Sequence, residues 1–313
     1  MFEVLSVTGT VFALIAIGYF ATRARFFTAT DHEVLTKFVM RLALPALIFR
    51  SVSTRSVSEI FDPAFLLAYG GGSVLTFFVM LSVARRLFRR DALDGTLIGI
   101  GTSACNTGFV GYPVVLVAFP DVAGRILALC MLVENLIIMP LGIAMLEQAQ
   151  GRGESARSFA RKIFRRMATN PIMISLVVSL AVSLSGLTVP HAILNPVSLI
   201  AQAAAAPALL VIGGTLVGLS FRGINAYVVA AVAGKLLLHP LVVMVAALAV
   251  TSVGFEFHEA TLSRAAVLAA AVPAFTLYPL FARSYGRPQE AALAHSLMTM
   301  LSFVSLTAVL VLV

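Results

Sequence analysis

Stretches of about 18 to 25 apolar residues with few charges recur along this whole chain. Each is long enough to cross a hydrocarbon core of roughly 30 Å. Hydrophobic residues make up 60% of the chain and charged residues only 12%, and the mean hydropathy of +1.00 lies far from that of a soluble domain. Backbone polar groups inside a bilayer must be satisfied within the segment, which helices do. The expected fold class is therefore an all-α polytopic membrane protein. The first apolar run lacks a basic leader and is followed by further runs, so a cleavable signal is not expected.

The spans are expected at about 4–21, 33–52, 64–84, 93–119, 123–146, 170–187, 193–219, 225–250, 260–281 and 290–312. With the N-terminus outside, the inner loops hold Arg23, Arg25, Arg85, Arg86, Arg89, Arg90, Arg152, Arg157, Arg161, Lys162, Arg165, Arg166, Arg222, Arg283 and Arg287. The outer loops hold only Arg55, Arg125 and Arg264. That asymmetry is the positive-inside pattern, and it places both termini outside. It also accounts for the net charge of +8 without nucleic acid as a partner. The basic stretch 147–168 is the longest break; it reads as a solvated inner linker near anionic lipid heads, dividing five spans (1–146) from five (169–313).

An odd number of spans per half inverts the second half relative to the first. Pro45-Ala46-Leu47 recurs as Pro207-Ala208-Leu209, offset by 162, and Phe109-x-x-Tyr112-Pro113 recurs as Phe275-x-x-Tyr278-Pro279, offset by 166. Two matches at nearly one offset mark a repeat. Both Phe-x-x-Tyr-Pro stretches interrupt apolar spans, at Cys105 to Pro113 and at Val272 to Pro279. Broken helices in corresponding places of two inverted repeats point to a transporter's binding site at the midplane. Each break frees the N–H groups of a half-helix, whose positive end attracts an anion. Candidate substrate contacts are Asn106, Thr107, Gly108 and Phe109 in span 4, with Pro273, Ala274 and Phe275 in span 9. Cys105, Gly111, Pro113 and Pro279 would shape the breaks. The plain alternative is a pair of packing kinks built on small residues.

Ionisable groups at membrane depth are costly and commonly functional or paired. Glu134 beside Asn135, Lys235 and His239, and His295 fall mid-span. Glu134 and Lys235 could form an ion pair; Glu134 or His295 could carry a coupling proton; Lys235 could offset the charge of a substrate. Lys37, Arg41 and Arg50 flank span 2 and read as snorkelling to the head groups. Cys105 and Cys130 lie within spans, with no CxxC or Cys/His cluster, so no disulfide, metal site or cofactor is expected. There is no GxSxG or HExxH motif, so a membrane-embedded enzyme is the minor alternative, with a non-transporting receptor beside it.

The string Asn106-Thr107-Gly108-Phe109-Val110-Gly111-Tyr112-Pro113 resembles the crossover of the auxin efflux carrier family, which includes plant PIN carriers and bacterial malonate or malate permease-like proteins. Pro273, Pro279, Ala282-Arg283-Ser284-Tyr285, Ser296 through Thr307 and Asn170-Pro171 are similar to other parts of that family. The resemblance implies ten helices in two inverted repeats. Helices 1, 2, 6 and 7 would form a dimeric scaffold, and helices 3–5 and 8–10 a transport domain moving like an elevator. It further implies a small organic anion bound beside crossed, unwound helices 4 and 9, and a bacterial inner membrane as the location. Plant members carry Pro immediately before the Asn-Thr of helix 4, where this chain has Cys105.

Overall fold

The computed structural model describes residues 2–151, 155–218 and 222–312. Arg152, one of the linker arginines, falls outside them. The chain is helical: α1 (Phe2–Arg23), α2 (29–53), α3 (Val57–Arg86), α4 (Ala92–Ser103), α5 (Thr107–Ala118), α6 (Ala123–Ala149), α7 (Ala156–Ala168), α8 (Pro171–Ser185), α9 (His191–Thr215), α10 (Ala226–Ser252), α11 (Ala260–Ala270), α12 (Tyr278–Ser284) and α13 (Pro288–Leu312). Among the described residues, α3, α6, α9, α10 and α13 are each long and apolar enough to cross a bilayer, and α7 with α8 makes a sixth if that bent pair is one span. The spans expected at 93–119 and 260–281, each with a break, are α4 with α5 and α11 with α12, and each pair is separated by non-helical backbone.

Five π-helical turns lie within these helices, at Val39–Ala43, Leu66–Gly70, Thr107–Gly111, Glu134–Ile138 and Gly234–Leu238. Four of them run directly into Leu44-Pro45, Tyr112-Pro113, Met139-Pro140 and His239-Pro240. Proline lacks an N–H, and its ring collides with the carbonyl four residues back. A residue added to the preceding turn relieves that collision, at the cost of one wide turn.

The linker is not the loop expected from its charge. It contains α7, where Phe159, Ile163, Phe164 and Met167 recur at helical spacing opposite Arg157, Arg161 and Arg165. Lys162 pairs with Glu147 near the end of α6. At Asn170-Pro171 the chain turns by 80° into α8, with the Asn170 side chain accepting the Ile172 N–H.

Contacts divide the chain into two units. The first comprises Met1–Asp62, Gly108–Leu129 and Phe164–Gly218. In it α1 lies against the C-terminal half of α9, so closely that a Cβ on Gly213 would enter the Ile15 carbonyl and sit 2.7 Å from the Tyr19 nitrogen. α8 is fastened to α2 by Ser175 Oγ donating to the Pro45 carbonyl (2.5 Å) and by Ser183 Oγ donating to that of Arg55 (2.6 Å). The second unit comprises Pro63–Thr107, Cys130–Ile163 and Leu219–Val313. Here α10 packs on α3 where Gly72 meets Val243, and α4 packs on both α3 and α6. Small residues permit such approach between helices that share no hydrophobic driving force in lipid.

Candidate functional site

The two helix breaks meet inside the second unit. Ala104 is extended (φ −93°, ψ 133°), which ends α4 and carries the chain through Cys105 and Asn106. On the other side Pro273 and Ala274 are also extended. Cys105 and Ala274 pair as a single antiparallel bridge, and the Asn106 N–H donates to the Pro273 carbonyl at 2.8 Å. Proline suits this position because it offers only an acceptor. At the end of α4, Thr102 and Ser103 turn their hydroxyls back onto the carbonyls of Ile98 and Gly99 (2.8 and 2.7 Å), so neither hydroxyl is left open.

Four of the five π turns supply one residue each to a buried polar cluster around this crossing: Tyr69, Thr107, Glu134 and Lys235. One carboxylate oxygen of Glu134 accepts the Thr107 hydroxyl (2.7 Å), the Cys105 N–H (3.0 Å) and the Tyr69 hydroxyl (3.3 Å). Lys235, fully buried, donates to Cys105 Sγ at 2.8 Å and lies 3.0 Å from His239 Nδ1. His239 Nδ1 is also 3.1 Å from the Ala270 carbonyl at the end of α11, and its Nε2 shares a hydrogen bond with Ser73 Oγ (2.9 Å). Lys235 thus meets Glu134 only through Cys105, whose thiol takes the ammonium while its N–H takes the carboxylate. This arrangement replaces the direct ion pair that the sequence left open.

Buried polar groups are almost always hydrogen-bonded, so the exceptions carry information. Asn106 is 3% exposed and its Nδ2 has no partner among the described residues. Thr276 Oγ1, three residues past Pro273, and His295 Nδ1 share that condition. Thr107 and the Cys105 N–H do not: both are spent on Glu134, so the start of α5 is already occupied by a carboxylate of the protein. Asn135 is turned onto its own helix, donating to the Met131 carbonyl at 2.9 Å. Phe275 contacts the rings of Tyr278 and Phe281, and Pro279 sits in the first turn of α12. Gly108, Phe109, Gly111 and Pro113 continue the chain into the first unit, in the π turn and first turn of α5, where Phe109 is buried.

Tyr69 and Ser73 were not legible as site residues, since a tyrosine and a serine in the run Leu66-Leu67-Ala68-Tyr69-Gly70-Gly71-Gly72-Ser73 look like ordinary helix composition. A second cluster was also missed. Arg287 donates to Asp94 and Asp91 (2.8 and 2.7 Å), and Arg90 donates to Glu290 (2.6 Å) while lying over the Tyr227 ring. Burial raises the Asp91 carboxyl, but the Asp94 N–H and Arg287 outweigh it and hold it below the ordinary carboxylate value. The same two carboxylates push Arg287 up.

Membrane-length apolar helices, beside two shorter helix pairs that meet at a buried polar centre, define a multi-pass membrane protein, and the family match makes it a membrane transporter. The chain belongs to the membrane transport protein family, the auxin efflux carrier group, whose pattern it matches over residues 8–312. It is 30% identical over 314 residues to a protein of Rhizobium meliloti (strain 1021) described as "Putative malonate transporter", spanning 100% of this chain and 97% of that one. It is 24% identical over 242 residues to the uncharacterized transporter YfdV of Escherichia coli (strain K12), 76% of each chain. Over 218 residues it is 27% identical to the lysosomal cholesterol signaling protein of Mus musculus, 66% of this chain but 25% of that one.

Proposed function

We propose that this protein is a secondary transporter for a small organic anion, a carboxylate of the malonate or malate class, working by elevator-type alternating access. The observation that carries the reading is the unpartnered Asn106 amide beside the backbone bond between the two broken helices. A buried donor left open beside extended backbone is a cost the fold retains when a ligand completes it. Asn106 contacts the carboxylate; Pro273, Ala274 and Phe275 shape the opposing edge of the site. Thr107 acts one step back, holding Glu134. Lys235 balances the charge of Glu134, and Glu134 or His295 carries a coupling proton if flux follows the pH gradient. The name of the Rhizobium relative supports the choice of malonate as first substrate.

The wider architecture in this reading is ten membrane helices in two inverted repeats of five. Helices 1, 2, 6 and 7 form a homodimeric scaffold in a bacterial inner membrane, with both termini outside. Asn106→Ala is expected to abolish malonate uptake into proteoliposomes while the protein still elutes as a folded species in detergent. Undiminished uptake by that variant overturns the site. Saturable malonate binding without counterflow identifies a receptor instead.

A further inference from the structure

The first unit holds a cavity of about 490 Å³ that has no place in the crossover just described. Every residue lining it belongs to that unit, among them Leu47, Arg50, Arg55, Tyr112, Asp121 and Arg125. Its volume is within the usual range for small-molecule sites, roughly 300–1,000 Å³.

The charges on its walls are not balanced within the protein. Arg125 is 3% exposed and held in place, donating to the Ile60 carbonyl (3.2 Å) and lying 3.7 Å from the Asp62 carboxylate. It is a neutralised wall. Arg55 donates to the Asp121 backbone carbonyl at 3.0 Å, so its guanidinium is fixed without a carboxylate in contact. Arg50 has no side-chain partner among the described residues. Beside it lies Tyr112, the tyrosine of the first Phe-x-x-Tyr-Pro stretch, only 6% exposed. The sequence assigned Arg50 to the lipid head groups; in the structure it is exposed and lines this cavity. Two guanidinium groups and a phenol, with Asp121 as the opposing carboxylate on the wall, make a surface that takes up a planar anion. Guanidinium is the group whose donor geometry matches a carboxylate.

We infer that this cavity is a capture site for carboxylates on the side carrying the Arg55 and Asp121 loops, with Arg50 as its specificity-determining cation. It rests on the organic-anion reading but on none of the residues proposed to contact the anion at the crossover. Arg50 then acts on encounter and affinity rather than on the turnover step. Fixed positive charge on a cavity wall raises the local anion concentration, an effect that salt weakens.

The test uses radiolabelled malonate uptake in proteoliposomes with Arg50→Gln, Arg50→Lys and Arg50→Glu. Arg50→Gln is expected to raise KM about tenfold with kcat within twofold of the unsubstituted protein. Arg50→Lys recovers part of that loss, and Arg50→Glu deepens it. Raising ionic strength increases KM in the unsubstituted protein and leaves Arg50→Gln nearly unchanged. A KM unmoved by Arg50→Gln, or one that Arg50→Glu does not raise further, overturns the inference. Thermal unfolding in detergent separates the two sites. Malonate is expected to stabilise Asn106→Ala, which retains the cavity, and to lose that effect in Asn106→Ala/Arg50→Gln. No stabilisation of Asn106→Ala overturns the capture site. Stabilisation of Asn106→Ala together with unimpaired uptake overturns the crossover reading and leaves the capture site standing.

Discussion

Thr107→Val isolates one bond at the crossing without changing its shape. Valine replaces the hydroxyl by a methyl of nearly the same size, so neither a cavity nor an overlap is created. The bond removed is the shortest of the three that reach the Glu134 carboxylate, 2.7 Å against 3.0 and 3.3 Å. A hydrogen bond to a charged acceptor contributes about 1.5–3 kcal/mol. Two donors remain, and the weaker of them, the Tyr69 hydroxyl, is shared with Cys105 Sγ at 3.2 Å. Its swing toward Glu134 offsets part of the loss, which sets the expected destabilisation near the lower end, about 1.5–2 kcal/mol.

The chain itself provides the assay. It has no tryptophan, and its two cysteines, Cys105 and Cys130, are free and buried. A thiol-reactive fluorophore therefore stays dark until the second unit opens. At about 2 °C per kcal/mol for a chain of this size, Thr107→Val is expected to lower the transition by about 3–4 °C. Thr107→Ser, which keeps the hydroxyl, stays within about 1 °C of the unsubstituted protein. In a double-mutant cycle with Glu134→Gln, the two losses are expected to be non-additive by at least 1 kcal/mol, because both act on one bond. Equal shifts for Val and Ser at position 107, or additive losses with Glu134→Gln, would refute the assignment of Glu134 as the anchor of the first break.

Two further outcomes follow from contacts elsewhere. Gly9 and Gly213 both lie in the α1–α9 pair, yet a Cβ meets open space at Gly9 and backbone at Gly213. Gly9→Ala should stabilise by about 0.5–1 kcal/mol through helix propensity, and Gly213→Ala should destabilise by about 1–3 kcal/mol; shifts of the same sign in thermal unfolding would contradict the packing. Asp91 has its folded pKa below the ordinary value, so its contribution is full above about pH 4 and is lost as pH falls through that range. Arg287→Gln should therefore lower stability at neutral pH and narrow the gap to the unsubstituted protein in acid, which an unfolding series from pH 3 to 7 measures.

What the sequence revealed was the backbone. Pro273, Gly108 and the Asn106-Thr107 pair are residues that interrupt helices for reasons local to themselves, so both breaks were legible before any contact was known. Partners were not. Glu134 and Tyr69 are 65 residues apart in the chain, and nothing in either segment announces that α3 and α6 converge on Cys105. Cys105 looked like a departure from the family's proline; in the structure its N–H and Sγ separately serve Glu134 and Lys235, and proline could supply neither. The cavity beside Arg50 was hidden for a related reason. A cation near the end of an apolar span looks the same in sequence whether it faces lipid or a cavity. The linker helix α7 was hidden because five basic residues masked the spacing of Phe159, Ile163 and Met167.

The repeat offset of 166 extends beyond the motifs that revealed it. Tyr69 and Lys235 stand at that offset, as do Ser73 and His239, and the members of each pair act together. Tyr69 and Lys235 both reach Cys105 Sγ, and Ser73 and His239 bond to each other. The corresponding positions hold neutral groups in the first half and basic groups in the second. That asymmetry matches the helix ends they serve. The carboxylate of Glu134 sits at the start of α5, the positive end of a helix dipole, while His239, itself in contact with Lys235, meets the Ala270 carbonyl, the negative end of α11. The protein has thus supplied its own countercharge to one end of each broken helix. What remains open at the crossing is neutral and hydrogen-bonding, the Asn106 amide and the Thr276 hydroxyl. Such a pair can release a ligand as readily as it binds one, because neither holds it by a full charge.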